Sequence, residues 1–253
     1  MNKWHWALLV IVYIGTLIVI APASLLSQMA GYASKGRVEL ANTQGTIWRG
    51  SANTVLHQRS GGLISLPTLH WDIALLPLLS GKLNAQIKWD DEAQTLPMQI
   101  IVSSSQVELR SAYIPLPALL LDEVSDFLKP VQLRGKIVLR SESLLITRQG
   151  LQGATTADWF NASSLLSNIS PLGNYHFTFS SSSNKVDITL STTSGALLLA
   201  GQGHFSSASG IDFKGTAQAA SGKEEALKEL LNHLGPEERP GVKTFTLVPT
   251  PAH

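Results

Sequence analysis

Lys82-Leu83-Asn84-Ala85-Gln86-Ile87-Lys88-Trp89 alternates polar and apolar residues without a break, and this period decides the fold. Successive side chains of an extended chain point to opposite sides. Leu83, Ala85, Ile87 and Trp89 therefore share one face, and Lys82, Asn84, Gln86 and Lys88 share the other. The pattern recurs downstream. Tyr175, Phe177 and Phe179 alternate with His176, Thr178 and Ser180; Val186, Ile188 and Leu190 with Asp187, Thr189 and Ser191; Ile211 and Phe213 with Asp212 and Lys214. One dry and one wet face per strand is what an antiparallel sheet requires. The expectation is a mainly β chain.

Two segments change to helical spacing. Residues 117–128 place Leu119, Leu120, Val124 and Phe127 or Leu128 on one side, with Asp122, Glu123 and Asp126 opposite and Pro130 as a stop. Residues 221–234 carry a Leu227, Leu230, Leu231 and Leu234 stripe behind a Ser221 cap with Glu224 three residues on, and Gly235-Pro236 ends it. Residues 237–241 read as a polar turn, 242–248 as a last strand and 249–253 as a flexible tail. The pair Leu-x-Gly recurs at Leu151/Gly153 and Leu199/Gly201, and as Phe213/Gly215. Such a glycine lies on the inward face and permits a bulge or close sheet-to-sheet approach, so the sheet is expected to be curved. Pro77 to Leu83 and Pro130 to Ile137 form a loose repeat, each leading into a strand.

Upstream of this body, residues 6–26 carry no formal charge and are rich in Leu, Ile, Val and Ala. As one helix they would extend roughly 30 Å, close to the hydrocarbon thickness of a bilayer. Trp4 and Trp6 stand where an interfacial aromatic belt belongs, Lys3 precedes them, and Tyr32, Lys35 and Arg37 follow. The expectation is a cytoplasmic start (1–5), a transmembrane helix (6–26), a linker (27–35) and a β domain over 36–248 on the far side of the membrane. Ala21-Pro22-Ala23 also fits a cleavable secretory signal cut after Ala23, although the apolar run continues through Leu25 and Leu26.

Composition narrows the function. The chain has 253 residues, a net charge of +1, 15% charged residues and no cysteine. Neither the charge balance nor any Lys/Arg stripe suits nucleic-acid binding. Disulfides, thiolate metal sites and a Cys nucleophile are excluded, and an exported domain held by its core alone suits a bacterial periplasm. Asp90-Asp91-Glu92 follows a strand and reads as a solvated turn rather than an acid–base pair. The seven histidines show no metal-ligand spacing. There is no Gly-x-Ser-x-Gly elbow, and Gly201-Gln202-Gly203 lacks the following helix a dinucleotide fingerprint needs. No enzyme, cofactor or small-molecule substrate is expected, with a Ser-His-Asp hydrolase as a remote alternative because its members need not be adjacent.

The segment 36–52 stands apart: Gly36-Arg37-Val38-Glu39-Leu40-Ala41-Asn42-Thr43-Gln44-Gly45-Thr46-Ile47-Trp48-Arg49-Gly50-Ser51-Ala52. It reads as a strand at 38–40, a turn at 42–45, a short strand presenting Trp48 and a second turn at 50–51. Trp48 either packs in the core or offers its indole to a partner. Arg37, Asn42, Gln44, Gly45, Trp48 and Gly50 are the candidate interaction residues.

This segment, with Trp71-x-Ile73-x-x-Leu76-Pro77-x-Leu79-x-Gly81-x-Leu83 and the ending Leu230-Leu231-Asn232-x-Leu234-Gly235, resembles the type II secretion system protein N family (general secretion pathway protein N). The resemblance implies an inner-membrane accessory component of the machine that moves folded proteins from the periplasm across the outer membrane. It implies membrane lipid and other secretion subunits as partners, and no catalytic residues. In overall plan the family is similar to periplasmic AsmA-like proteins, which leaves an acyl-chain cradle as the alternative function.

Overall fold

The computed structural model describes residues 3–58, 61–123, 129–182, 185–206 and 210–247. The chain divides into two compact units, Met1–Ser104 and Ser105–His253. The first holds helices α1 (Lys3–Val19) and α2 (Ser24–Ala33), followed by strands β1 (Val38–Gly45), β2 (Arg49–His57), β3 (Leu63–Ala74), β4 (Leu83–Trp89) and β5 (Met98–Val102). These strands pair in sequence order, each antiparallel to the last. The alternation that announced β4 is realised: Ala85 and Trp89 are buried, while Gln86 and Lys88 are exposed.

The N-terminal expectation is corrected. Residues 6–26 do not form one helix, because α1 stops at Val19 and α2 begins only at Ser24. Pro22 has no N–H to continue a helix, and the residues around it are drawn into strand-like pairing with the β1–β2 turn. The Ala23 N–H donates to the Gly45 carbonyl at 3.1 Å, the Ile47 N–H to the Ala21 carbonyl at 2.9 Å, and Pro22 bridges Thr46. Among the described residues no helix is long and apolar enough to cross a membrane. The stretch read as a linker holds most of α2; Leu26 of this helix and Ala23 just before it pack against Leu40, Ala52 and Trp71.

The second unit holds β6 (Gln106–Pro117), β7 (Leu133–Thr147), β8 (Gly150–Ser164), β9 (Gly173–Ser182), β10 (Lys185–Gly195), β11 (Leu197–Ser206), β12 (Gly210–Ala219), helix α3 (Glu224–Leu234), β13 (Glu237–Arg239) and β14 (Val242–Leu247). Pairing is again antiparallel and sequential through β12, after which β14 lies beside β12 and β13 takes the edge. Register shifts within β7, β8 and β10 mark bulges that bend the strands, as the glycine pattern anticipated for a curved sheet. The α3 stripe is found as read: Leu227, Leu230 and Leu231 are buried against the sheet. Ser221 does not cap it; instead the Glu224 carboxylate accepts from the Gly222 N–H at 3.1 Å.

The remaining helix expectation is corrected on its described part. Ala118–Glu123 is a 3₁₀ turn, and residues 124–128 lie outside the described residues. Short β14 also borrows part of the expected turn at 237–241, since Glu237–Arg239 pairs with it as a strand. The tail at 249–253 lies outside the described residues.

The glycines of the last strands have a specific use. Gly201 and Gly215 are cross-strand partners, and a Cβ on Gly201 would stand 2.6 Å from the Phe213 ring. The Phe245 ring occupies the corresponding space over Gly215, and the two rings lie 6.1 Å apart. Aromatic rings, not a second sheet, fill the room left by the missing side chains. With Trp159 and Tyr175 at 5.5 Å and α3 above, the dry face of this unit is occupied by its own side chains.

Candidate functional site

The hairpin of residues 36–52 sits in the first unit, with a geometry different from the one expected. The chain turns at 46–48, not at 42–45, and Gly45 pairs directly with Gly50. Asn42 supplied a turn signal because asparagine tolerates a positive φ; here it adopts φ +51° as a bulge inside β1, where the register slips between Ala41 and Gln44. Gly45 is required as glycine, since at φ +89° a Cβ would meet the Arg49 carbonyl. Gly50 lies within β2, so no second turn forms there.

The two tryptophans divide the roles that Trp48 was expected to choose between. Trp71 is the core residue, 6% exposed, and its Nε1–H donates to the Thr46 carbonyl at 3.2 Å. Trp48 is half-buried, and its Nε1–H donates to the Ile18 carbonyl at 2.8 Å. That carbonyl belongs to the last turn of α1, where it also accepts a longer bond from the Ala21 N–H at 3.4 Å. The Trp48 carbonyl in turn accepts from the Ile73 N–H at 2.6 Å. One indole thus ties the end of α1 to the sheet.

The structure brings four of the six candidate residues together. Gln44, Gly45 and Gly50 line a cleft of about 530 Å³ with Arg49, His70, Asp72, Gln86 and Lys88. Asn42 and Gln44 line an adjoining smaller one with Asn53 and Thr68. Arg37 is elsewhere: it lies at the other end of β1, where its carbonyl accepts from the His57 N–H at 2.8 Å. Trp48 faces α1.

Arg49, Asp72, Gln86, His70 and Lys88 were not singled out from the sequence. They come together by register. Arg49 pairs with Asp72 and Asp72 with Gln86, while His70 pairs with Lys88, all on the wet face of β2, β3 and β4. Both Arg49 Nε, at 2.8 Å, and Nη2, at 2.5 Å, donate to Asp72 Oδ2. The alternation in β4 already marked Gln86 and Lys88 as wet; extending it to β3 would have found His70 and Asp72. Chemically this is an open, mixed-charge surface offering amide, guanidinium, ammonium and carboxylate groups to a polar partner.

In the second unit, Asp158 accepts from Arg140 Nη1 at 2.5 Å and is paired with His176 Nδ1 at 2.7 Å, and the Arg140 guanidinium lies 5.4 Å from the Tyr113 ring centre. Glu237 and Arg110 are shifted by local partners. The Gly241 N–H and then Lys243 hold the Glu237 carboxyl below its ordinary value, and Glu108 raises Arg110. Asp90-Asp91-Glu92 is the turn expected, closed by the Ala93 N–H donating to Asp91 Oδ1 at 3.1 Å. Among the described residues no three His, Asp or Glu side chains converge as metal ligands.

No curated protein and no solved structure matches the chain. Residues 36–246 match the family described as type II secretion system (T2SS), protein N. The match starts at the hairpin, runs through both units and ends one residue short of the end of β14. The chain therefore belongs to the type II secretion system protein N family.

Proposed function

We propose that this protein is an accessory component of the type II secretion machine that works by binding rather than catalysis. It is held at the bacterial inner membrane by α1, with both sheet units in the periplasm. Its partners are other secretion subunits, met through the wet face around Gln44, Arg49, His70 and Asp72. The observation that carries this reading is the family match over residues 36–246. Attachment at a membrane is supported by α1, whose described side chains are all exposed although Trp4, Trp6, Leu9, Val10, Val12, Ile14 and Leu17 are among them. A helix apolar all round and packed on nothing needs a non-aqueous surrounding. Tethering confines the sheet units to the membrane plane and raises their effective concentration near other membrane-bound subunits.

An uncleaved N-terminus is supported by Ala23. It is 2% exposed and packed with Ala52 and Trp71, so a signal peptidase cutting after it would have to open the hairpin contact first.

Photo-crosslinking in intact cells tests the proposal, with benzoylphenylalanine placed at Gln44 or His70. Secretion subunits should be captured from both positions. Capture of none, together with normal export after deletion of the chain, would overturn it.

A further inference from the structure

The strand order of the first unit sorts its connections to two ends. The β1–β2 turn (46–48) and the β3–β4 connection (75–82) lie at one end; the β2–β3 and β4–β5 connections lie at the other. The first end is also where α1 finishes, fixed by Trp48 to Ile18, Ile47 to Ala21 and Pro22 to Thr46. The Ile73 N–H donating to the Trp48 carbonyl joins the base of the β3–β4 connection to the same junction.

That connection reads Leu75-Leu76-Pro77-Leu78-Leu79-Ser80-Gly81-Lys82 and folds as a 3₁₀ knuckle at Leu76–Ser80. Its four leucines are all exposed, Leu76 at 79% and Leu79 at 88%. Single exposed leucines are ordinary, but four within five residues, next to the exit of an unpacked apolar helix, form a patch that water disfavours. Lys82 is exposed just beyond it.

We infer that the Leu75–Leu79 knuckle is a second lipid contact, dipping into the acyl boundary of the bilayer that receives α1. This rests on the membrane reading above. The occupant is argued from continuity: the described side chains of α1 are all exposed, its end is held at this end of the sheet, and the surface surrounding that end is the one that meets the bilayer. The 17 residues of α1 extend about 25 Å as a helix, short of a hydrocarbon core of about 30 Å. The end of the sheet is thereby drawn toward the acyl region, with the Trp48 indole and the Lys82 ammonium at headgroup level, where amphipathic and cationic groups settle.

The absence of native cysteine makes the test direct. The full chain carrying Leu76→Cys or Leu79→Cys is labelled with an environment-sensitive fluorophore and reconstituted into vesicles of phosphatidylethanolamine and phosphatidylglycerol. Tyr13→Cys reports on α1, and Leu63→Cys, a 67% exposed leucine at the opposite end of the sheet, is the aqueous control. Labels at 76 and 79 should shift to the blue and lose most of their emission to brominated acyl chains, while the label at 63 does neither. If 76 and 79 stay aqueous while 13 enters lipid, the knuckle inference is overturned and the membrane reading stands. If 13 also stays aqueous, the membrane reading itself fails. Lipid quenching at all four positions overturns the inference, because contact would not be confined to one end.

Discussion

The Ser27 hydroxyl of α2 donates to the Leu40 carbonyl of β1 at 2.8 Å. About two helical turns further on, the Ser34 hydroxyl accepts from the Val38 N–H at 2.9 Å. Val38 and Leu40 are two residues apart, so their backbone groups point to the same side of β1, away from β2. The two serines take the place a neighbouring strand would occupy and close an edge that would otherwise template association.

Removing this closure has a definite cost. Ser27→Ala with Ser34→Ala should lower stability by about 2 kcal/mol, roughly one per lost hydrogen bond. Denaturant unfolding measures the loss, and light scattering should show faster self-association of the double variant. Unchanged stability would mean that water replaces both hydroxyls.

Glycine positions separate by what a methyl group meets. At Gly50 a Cβ would stand 2.6 Å from the Trp71 ring and run into the Gln44 carbonyl, so Gly50→Ala should destabilise the first unit by about 2–3 kcal/mol. Gly31 lies inside α2 with nothing within 4 Å. There, Gly31→Ala should stabilise by about 0.5–1 kcal/mol, because alanine is the better helix former and restricts the unfolded chain. Opposite signs in one unfolding assay are the expected result.

Leu227 is fully buried where α3 covers the sheet of the second unit. Leu227→Ala leaves a cavity that the surrounding Leu and Phe side chains fill only in part, and should cost about 2–5 kcal/mol. Leu227→Met should cost less than about 1.5 kcal/mol, since it conserves volume. Thermal unfolding of both variants checks the difference.

Tyr175 gives a pH dependence with a worked sign. Burial pushes its phenol well above the ordinary value, and its hydroxyl donates to the Leu197 carbonyl at 3.0 Å. The neutral form is therefore favoured in the folded state. Below about pH 10 both states hold the proton and the stability is fully present; above it the unfolded chain ionises first and stability falls as pH rises. Tyr175→Phe should cost about 1 kcal/mol at neutral pH through the lost hydrogen bond, and should flatten the alkaline decline. An equal slope in both proteins would assign the decline to other groups.

Much of this molecule was legible locally. Period-two alternation announced β4, β9, β10 and β12, and the leucine stripe announced α3, because each signal is carried by contiguous residues and needs no knowledge of a neighbour. The candidate hairpin was legible as a segment, but its turn was misplaced. Asn42 and Gly45 both favour a positive φ, and local chemistry alone does not separate a bulge from a turn.

The sequence by itself determined the mainly β character, the glycines where the hairpin closes and an apolar N-terminus. Only the tertiary structure decided that Trp71 is buried while Trp48 caps α1, that Arg49 meets Asp72 from 23 positions away, and that the N-terminal run breaks at Pro22. Each of these depends on strand register or on a distant carbonyl claiming an N–H. Pairing of that kind is settled by which partners satisfy all the backbone groups at once, not by the composition of any one stretch.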